Sequence, residues 1–197
     1  NVLKTIAQFE NGNNEANLLG VHVEGPYVSK KRAGAQPIDY MILPSIEQFA
    51  HWQALSNNRI KQITIAPELE GGFPFIKELY KQGVIVSIGH SDATLEEVEQ
   101  AVAFGVRQAT HLYNQMRPFH HRDPGVVGGV LVEDAVKVEI IADFVHCHPM
   151  SVKLAYRVKG AEGIILITDA MRAKGLQYGD YDLGGQTVHV TESGAHL

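Results

Sequence analysis

Five side chains able to hold a metal or move a proton follow short apolar runs in this chain: Glu24, His90, His111, His146 and Asp169. The runs are Leu18–Val23, Val84–Ile88, Arg107–Thr110, Val136–Ile141 and Ile164–Thr168, each of strand length. One such residue is explained by packing alone. Five are not, because each would bury an imidazole or carboxylate that needs a partner. A shared cation supplies that partner. Glu24, His90 and His111 form a donor set suited to a divalent zinc- or iron-like ion with one position left for water. Such an ion lowers the pKa of the water and polarises a carbonyl. Asp169 is then the group to take the water's proton and return it to a leaving amine. His146 would orient or polarise a substrate.

Other polar positions cluster near these ends. The stretch Arg107–Gly129 starts as a strand, turns polar at His111 and is expected to end in a Gly-rich loop. Asn114 reaches the same space as His111, and Arg122 offers a planar fork for a phosphate or carboxylate. Gly25 and Pro26 after Glu24 turn the backbone and stop the strand ladder. His22 lies two residues before Glu24 and so on the same side of the strand. It is either a lower-layer residue or a partner of the site. Lys30, Lys31 and Arg32, in the loop 27–37, read as a solvated surface run. Cys147 and His148 read as packing and helix-start residues, and His120, His121 and His189 as surface neighbours.

Helices must position these strand ends. One spans Val2–Phe9. A second opens at Ser45, with Ser45 and Gln48 as a capping box, and stops at Asn57-Asn58. Phe73–Gln82 is a third, ended by Gly83. Thr94 and Glu97 cap a fourth that buries Leu95, Val98 and Val102 and ends at Gly105. Pro149 starts another that runs to Lys159. Strands alternating with helices indicate a parallel sheet. A complete (β/α)₈ barrel needs eight strands and about 250 residues. With Ile60–Ala66 as a further strand-length run, six strands predict a partial (β/α)₈ TIM-like barrel over residues 1–175, with the first two strands absent. Tyr181–Val190, within 176–197, reads as a hairpin around Gly184-Gly185 that leads into a small β domain. An open doubly wound sheet is the competing fold, but no G-x-G-x-x-G follows any strand.

Composition excludes other classes. A net charge of −5 argues against a nucleic-acid partner. No apolar run approaches the ~18 residues of a membrane span, and no signal-peptide pattern opens the chain. Cys147 is the single cysteine, so no internal disulfide is possible, which fits a reducing, cytoplasmic compartment. The abrupt opening in a helix hints at a piece of a longer protein.

Taken together, five motifs occur in one order: His22-Val23-Glu24-Gly25-Pro26, Gly89-His90-Ser91-Asp92-Ala93-Thr94, Thr110-His111-Leu112-Tyr113-Asn114-Gln115-Met116, Ile141-Ala142-Asp143 through His146, and Thr168-Asp169-Ala170-Met171. They resemble the N-acetylglucosamine-6-phosphate deacetylase family of the amidohydrolase superfamily over nearly the whole chain. The resemblance implies hydrolysis of N-acetylglucosamine 6-phosphate to glucosamine 6-phosphate and acetate. It implies Glu24, His90 and His111 as metal ligands and Asp169 as general acid/base. Ala35 with Gln36, Asn114 with Gln115, and His146 would be substrate contacts. Arg122 would reach the phosphate in the neighbouring site of a homodimer.

The chain also departs from that family. Some members carry histidine where Gln36 stands, so that contact would be neutral here. Some carry a His-x-His on the first barrel strand that supports a second ion; that strand is absent, so one ion or two stays open. A substrate loop expected after Asp169 falls beyond Leu197. A dihydroorotase- or deaminase-like amidohydrolase is the enzymatic alternative. Several of those place a carboxylated lysine at the fourth strand's end, where this chain reads Ala66-Pro67-Glu68. An inactive sugar-phosphate-binding fragment is the non-catalytic alternative.

Overall fold

The computed structural model describes residues 1–192 and 194–196. Six parallel strands form one sheet in chain order: β1 (Val21–Glu24), β2 (Ile60–Ile65), β3 (Ile85–Ile88), β4 (Val106–Ala109), β5 (Lys137–Ile141) and β6 (Ile164–Ile167). The helices are α1 (Val2–Gln8), α2 (Ile46–Leu55), α3 (Gly72–Lys81), α4 (Leu95–Phe104), α5 (Gly125–Val132) and α6 (Pro149–Lys159). Helices α2 to α6 fall in the five intervals between consecutive strands, one in each. The predicted alternation is thus realised as a partial barrel.

Side chains across the concave face show that the sheet curls. Gln62 of β2 donates from Nε2 to Glu139 of β5 at 2.8 Å, although two strands lie between them. In a flat sheet, strands three places apart would be roughly 14 Å apart. Thr64 of β2 likewise meets Thr110, just past β4, at 2.7 Å between hydroxyl oxygens. Strand alternation explains both faces of β2. Gln62 and Thr64 face inward, while Ile63 and Ile65 are buried in the apolar layer under the helices. Phe49 of α2 and Phe75 of α3 meet edge-on there, with ring centroids 6.0 Å apart.

Four local expectations are corrected. The Gly-rich end of the 107–129 stretch is not loop: Gly125–Val132 is a helix, buried along Gly125–Leu131. A helix apolar all round has no amphipathic period to read. Its glycines permit close packing, since a Cβ on Gly129 would lie 2.8 Å from Val98 Cγ1 of α4. The Ser45 box is one-sided: Ser45 Oγ accepts from Gln48 N, but the Gln48 side chain accepts from the Tyr27 hydroxyl at 2.8 Å. The Thr94–Glu97 box, in contrast, is complete. Strand β1 begins at Val21 rather than Leu18, and Leu19 is 87% exposed. Its register explains this, because its single partner β2 starts opposite Val21 at Ile60. The C-terminal hairpin carries a third strand, forming an antiparallel sheet of β7 (Gly179–Leu183), β8 (Gln186–Thr191) and β9 (Gly194–His196). Gly184 and Gly185 both have positive φ, as a tight two-residue hairpin turn requires.

Candidate metal centre and its cavity

Three of the four central residues sit two places beyond a strand. His90 follows β3, His111 follows β4 and Asp169 follows β6, each after one intervening residue; Glu24 is the last residue of β1 itself. All three also have positive φ, at 46°, 34° and 48°. Non-glycine residues avoid this region, and such strain persists only where the surroundings enforce it. Gly89 is part of that enforcement. A Cβ on it would lie 2.8 Å from both Thr110 Cβ and Thr64 Cγ2.

The side chains converge. His90 Nε2 lies 2.9 Å and His111 Nε2 2.8 Å from Glu24 Oε1, and the two Nε2 atoms are 3.1 Å apart. One atom from each residue falls within 4.8 Å of the others, a spacing that could hold one metal ion. The donor set fits a borderline divalent cation, with two imidazole nitrogens and one carboxylate. His90 Nδ1 donates to the Arg32 carbonyl at 2.7 Å, so neutral His90 keeps its lone pair at Nε2, facing the centre. His111 is different: its Nδ1 is buried with no hydrogen-bond partner among the described residues.

Electrostatics follow from this closeness. Burial opposes ionisation of Glu24, but the hydrogen bond from His111 and the close His90 ring outweigh it and hold the carboxyl well below its usual range. Burial pulls the His111 imidazole down; the Glu24 hydrogen bond and charge more than compensate and raise it. Asp169 is pushed up, first by burial and then by the Glu24 charge. A carboxyl shifted toward neutrality is better matched to accepting a proton near pH 7.

A cavity of about 440 Å³ opens over these groups. It is lined by Glu24, His90, His111 and Asp169, and also by Ala35, Gln36, Asn114, Gln115 and His146. Nine of the ten candidate residues therefore share one space. Arg122 does not line it; the guanidinium is exposed and touches His121 Nε2 at 2.7 Å. Asn114 is anchored by bonds from Nδ2 to the His111 and Leu112 carbonyls. His146 is held by Asp143, whose carboxylate accepts from Nδ1 at 2.7 Å and from the backbone N–H. Gly34 lets the 27–37 loop settle on Gln115, where a Cβ would come within 2.9 Å of Gln115 Cγ.

Sequence reasoning missed two features. Leu183 and Gly184 of the C-terminal hairpin also line the cavity. No local signal marks them, because the contact is made across more than 140 residues, with Gly184 against Pro37. Arg32, expected to be solvated with Lys30 and Lys31, is ion-paired: Nε and Nη2 both donate to Asp92 Oδ1, at 2.9 and 2.7 Å. Lys31 fits the expectation better, as its side chain stays 78% exposed despite reaching Asp92. His22 occupies the layer below the centre, with Nε2 2.7 Å from Thr64 Oγ1.

No family model matches the chain. An N-acetylglucosamine-6-phosphate deacetylase of Lysinibacillus sphaericus is 64% identical over 197 residues, covering 97% of this chain and 51% of that protein. This chain is thus similar to N-acetylglucosamine-6-phosphate deacetylases. A deacetylase of Bacillus subtilis (strain 168) is 49% identical, over 89% of this chain and 44% of its own length. Among solved structures, a mutant deacetylase from Mycobacterium smegmatis in complex with N-acetyl-D-glucosamine-6-phosphate superposes with a TM-score of 0.88 at 34% identity. That superposition covers 90% of this chain and 47% of the other. The chain thus spans about half the length of the deacetylases it matches.

Proposed function

We propose that the whole protein hydrolyses the N-acetyl group of N-acetylglucosamine 6-phosphate, releasing acetate and glucosamine 6-phosphate. The observation that carries this is the meeting of Glu24, His90 and His111 within 4.8 Å, with Asp169 on the same cavity wall. Glu24, His90 and His111 would hold a divalent ion, zinc or iron; one bound there would polarise the amide carbonyl and lower the pKa of a water. Asp169 accepts the proton of the attacking water and delivers it to the amine nitrogen as the C–N bond breaks. Ala35, Gln36, Asn114, Gln115 and His146 bind and orient the sugar. Arg122 is exposed and does not line its own cavity, which supports a homodimer in which it reaches the phosphate of the neighbouring site. We further assign residues 1–175 to the hydrolase barrel and 176–197 to the start of a small β domain, and place the protein in the cytoplasm. Among the described residues, no helix is long and apolar enough to cross a membrane.

Acetate release from N-acetylglucosamine 6-phosphate, with and without added zinc or ferrous ion, tests the proposal. Asp169→Asn should lower kcat by roughly 10²- to 10⁴-fold, the usual worth of a general acid/base. An unchanged rate in that variant would remove Asp169 from the reaction.

A further inference from the structure

The loop before the cavity and the turn after β3 are stitched together around one histidine. Arg32 contributes twice. Its carbonyl accepts from His90 Nδ1 at 2.7 Å, and its guanidinium binds Asp92, two residues beyond that histidine, through Nε and Nη2. Asp92 is itself fixed from both sides. Its N–H donates to Glu68 Oε1 at 2.7 Å, and its carbonyl accepts from Arg117 Nη1 at 3.2 Å. Ser91 Oγ donates to the other Glu68 oxygen at 2.8 Å. The returning bond runs from Ser29 N to the His90 carbonyl at 2.9 Å.

A carbonyl has no proton to give, so a bond from Arg32 O obliges His90 Nδ1 to carry one. Neutral His90 must then present its lone pair at Nε2, toward Glu24 and His111. His111 has no such partner at Nδ1 among the described residues, so no outer acceptor there turns its Nε2 lone pair toward an ion. We infer that Arg32 is a positioning residue for the metal centre: its clamp on Asp92 holds its own carbonyl against His90 and so fixes which nitrogen faces the ion. Arg32 lies three and four residues before Ala35 and Gln36, which line the cavity. The same clamp therefore couples the placement of the substrate loop to the readiness of the ligand. This inference rests on the reading that Glu24, His90 and His111 hold a divalent cation.

The test uses the whole protein, stripped of metal and titrated with zinc against a chromophoric chelator. Arg32→Ala and Asp92→Asn should each weaken zinc binding roughly 10- to 100-fold, as loss of a ligand's outer partner does. Because the two side chains act as one clamp, the double variant should bind no more than about threefold worse than either single one. Arg32→Lys should fall between wild type and Arg32→Ala, since an ammonium makes a point contact where the guanidinium makes two. Lys31→Ala, which also removes a charge beside Asp92 but no carbonyl clamp, should stay within about twofold of wild type. A wild-type protein that takes up no divalent ion would refute the metal reading itself. A wild type that binds zinc while Arg32→Ala binds it equally well would overturn the Arg32 inference alone, as would losses that multiply fully in the double variant. Nitrogen-15 spectra of histidine-labelled, zinc-loaded wild type need no substitution. They should show the His90 proton on Nδ1, and a proton on Nε2 would overturn the inference even if the variants failed to fold.

Discussion

At the scale of single residues, charge pairing decides most of what the site can do. Asp92 shows the logic. Burial disfavours its charge, but the hydrogen bonds from Arg32 and Lys31 win and depress its pKa. A carboxyl depressed in the folded state adds stability above its unfolded value of about 3.9, and that contribution is lost as pH falls through the folded value. Asp92→Asn should thus cost about 1 kcal/mol near pH 7, at the low end for charge-assisted bonds because the pair is partly wet. Its unfolding midpoint should approach that of wild type as pH is lowered from about 4 downward. A deficit that stays constant across that range would mean the charge of Asp92 is not what stabilises the turn. Arg122 makes a different kind of claim, about recognition. If it reads phosphate in a neighbouring site, Arg122→Ala should raise KM for the phosphorylated sugar and barely change that for the unphosphorylated one. Equal effects on both sugars would take the phosphate role away from it.

At the scale of elements, the sequence was legible wherever punctuation was local. Gly83 and Gly105 end α3 and α4, Pro149 opens α6, and each reads correctly because the signal sits within one turn of its effect. The candidate ligands were legible for a related reason: an imidazole directly after an apolar run is costly to bury unless something pairs with it. Arg32 was not, because a basic run looks the same solvated or paired, and its partner lies sixty residues away. Helix α5 was hidden by its glycines, which serve packing rather than flexibility. Gly129→Ala measures that. Alanine gains about 1 kcal/mol of helix propensity over glycine. Against this, its Cβ would sit 2.8 Å from Cγ1 of Val98, a β-branched side chain with little rotamer freedom. Overpacking of this kind costs about 1–3 kcal/mol, so the net change should be destabilising. Denaturant unfolding that shows a more stable variant would mean α4 and α5 have slack between them.

At the scale of the whole molecule, the curled sheet has two strands with a neighbour on one side only. Strands β1 and β6 end the described sheet, and neither has a fully buried residue, whereas β2 to β5 each bury at least two. Leu166 on β6 is 74% exposed. An unpaired strand edge presents a row of N–H and C=O groups to any other chain, and apolar side chains beside it strengthen the attraction. Two of the four groups proposed for the site belong to these same outer strands: Glu24 ends β1 and Asp169 follows β6. Loosening of the edges would therefore displace Glu24 and Asp169, the proposed ligand and acid/base, together, while His90 and His111, beside the well-paired β3 and β4, stay in place. The 197-residue polypeptide produced alone should self-associate at micromolar concentrations, where exposed edges begin to pair. Leu166→Lys, which puts a charge on the edge strand, should reduce that association. Its acetate release should also fall far below that of the whole protein, even with zinc in excess. Light scattering that finds a stable monomer, with full activity, would show that the edges are closed by something other than strand pairing.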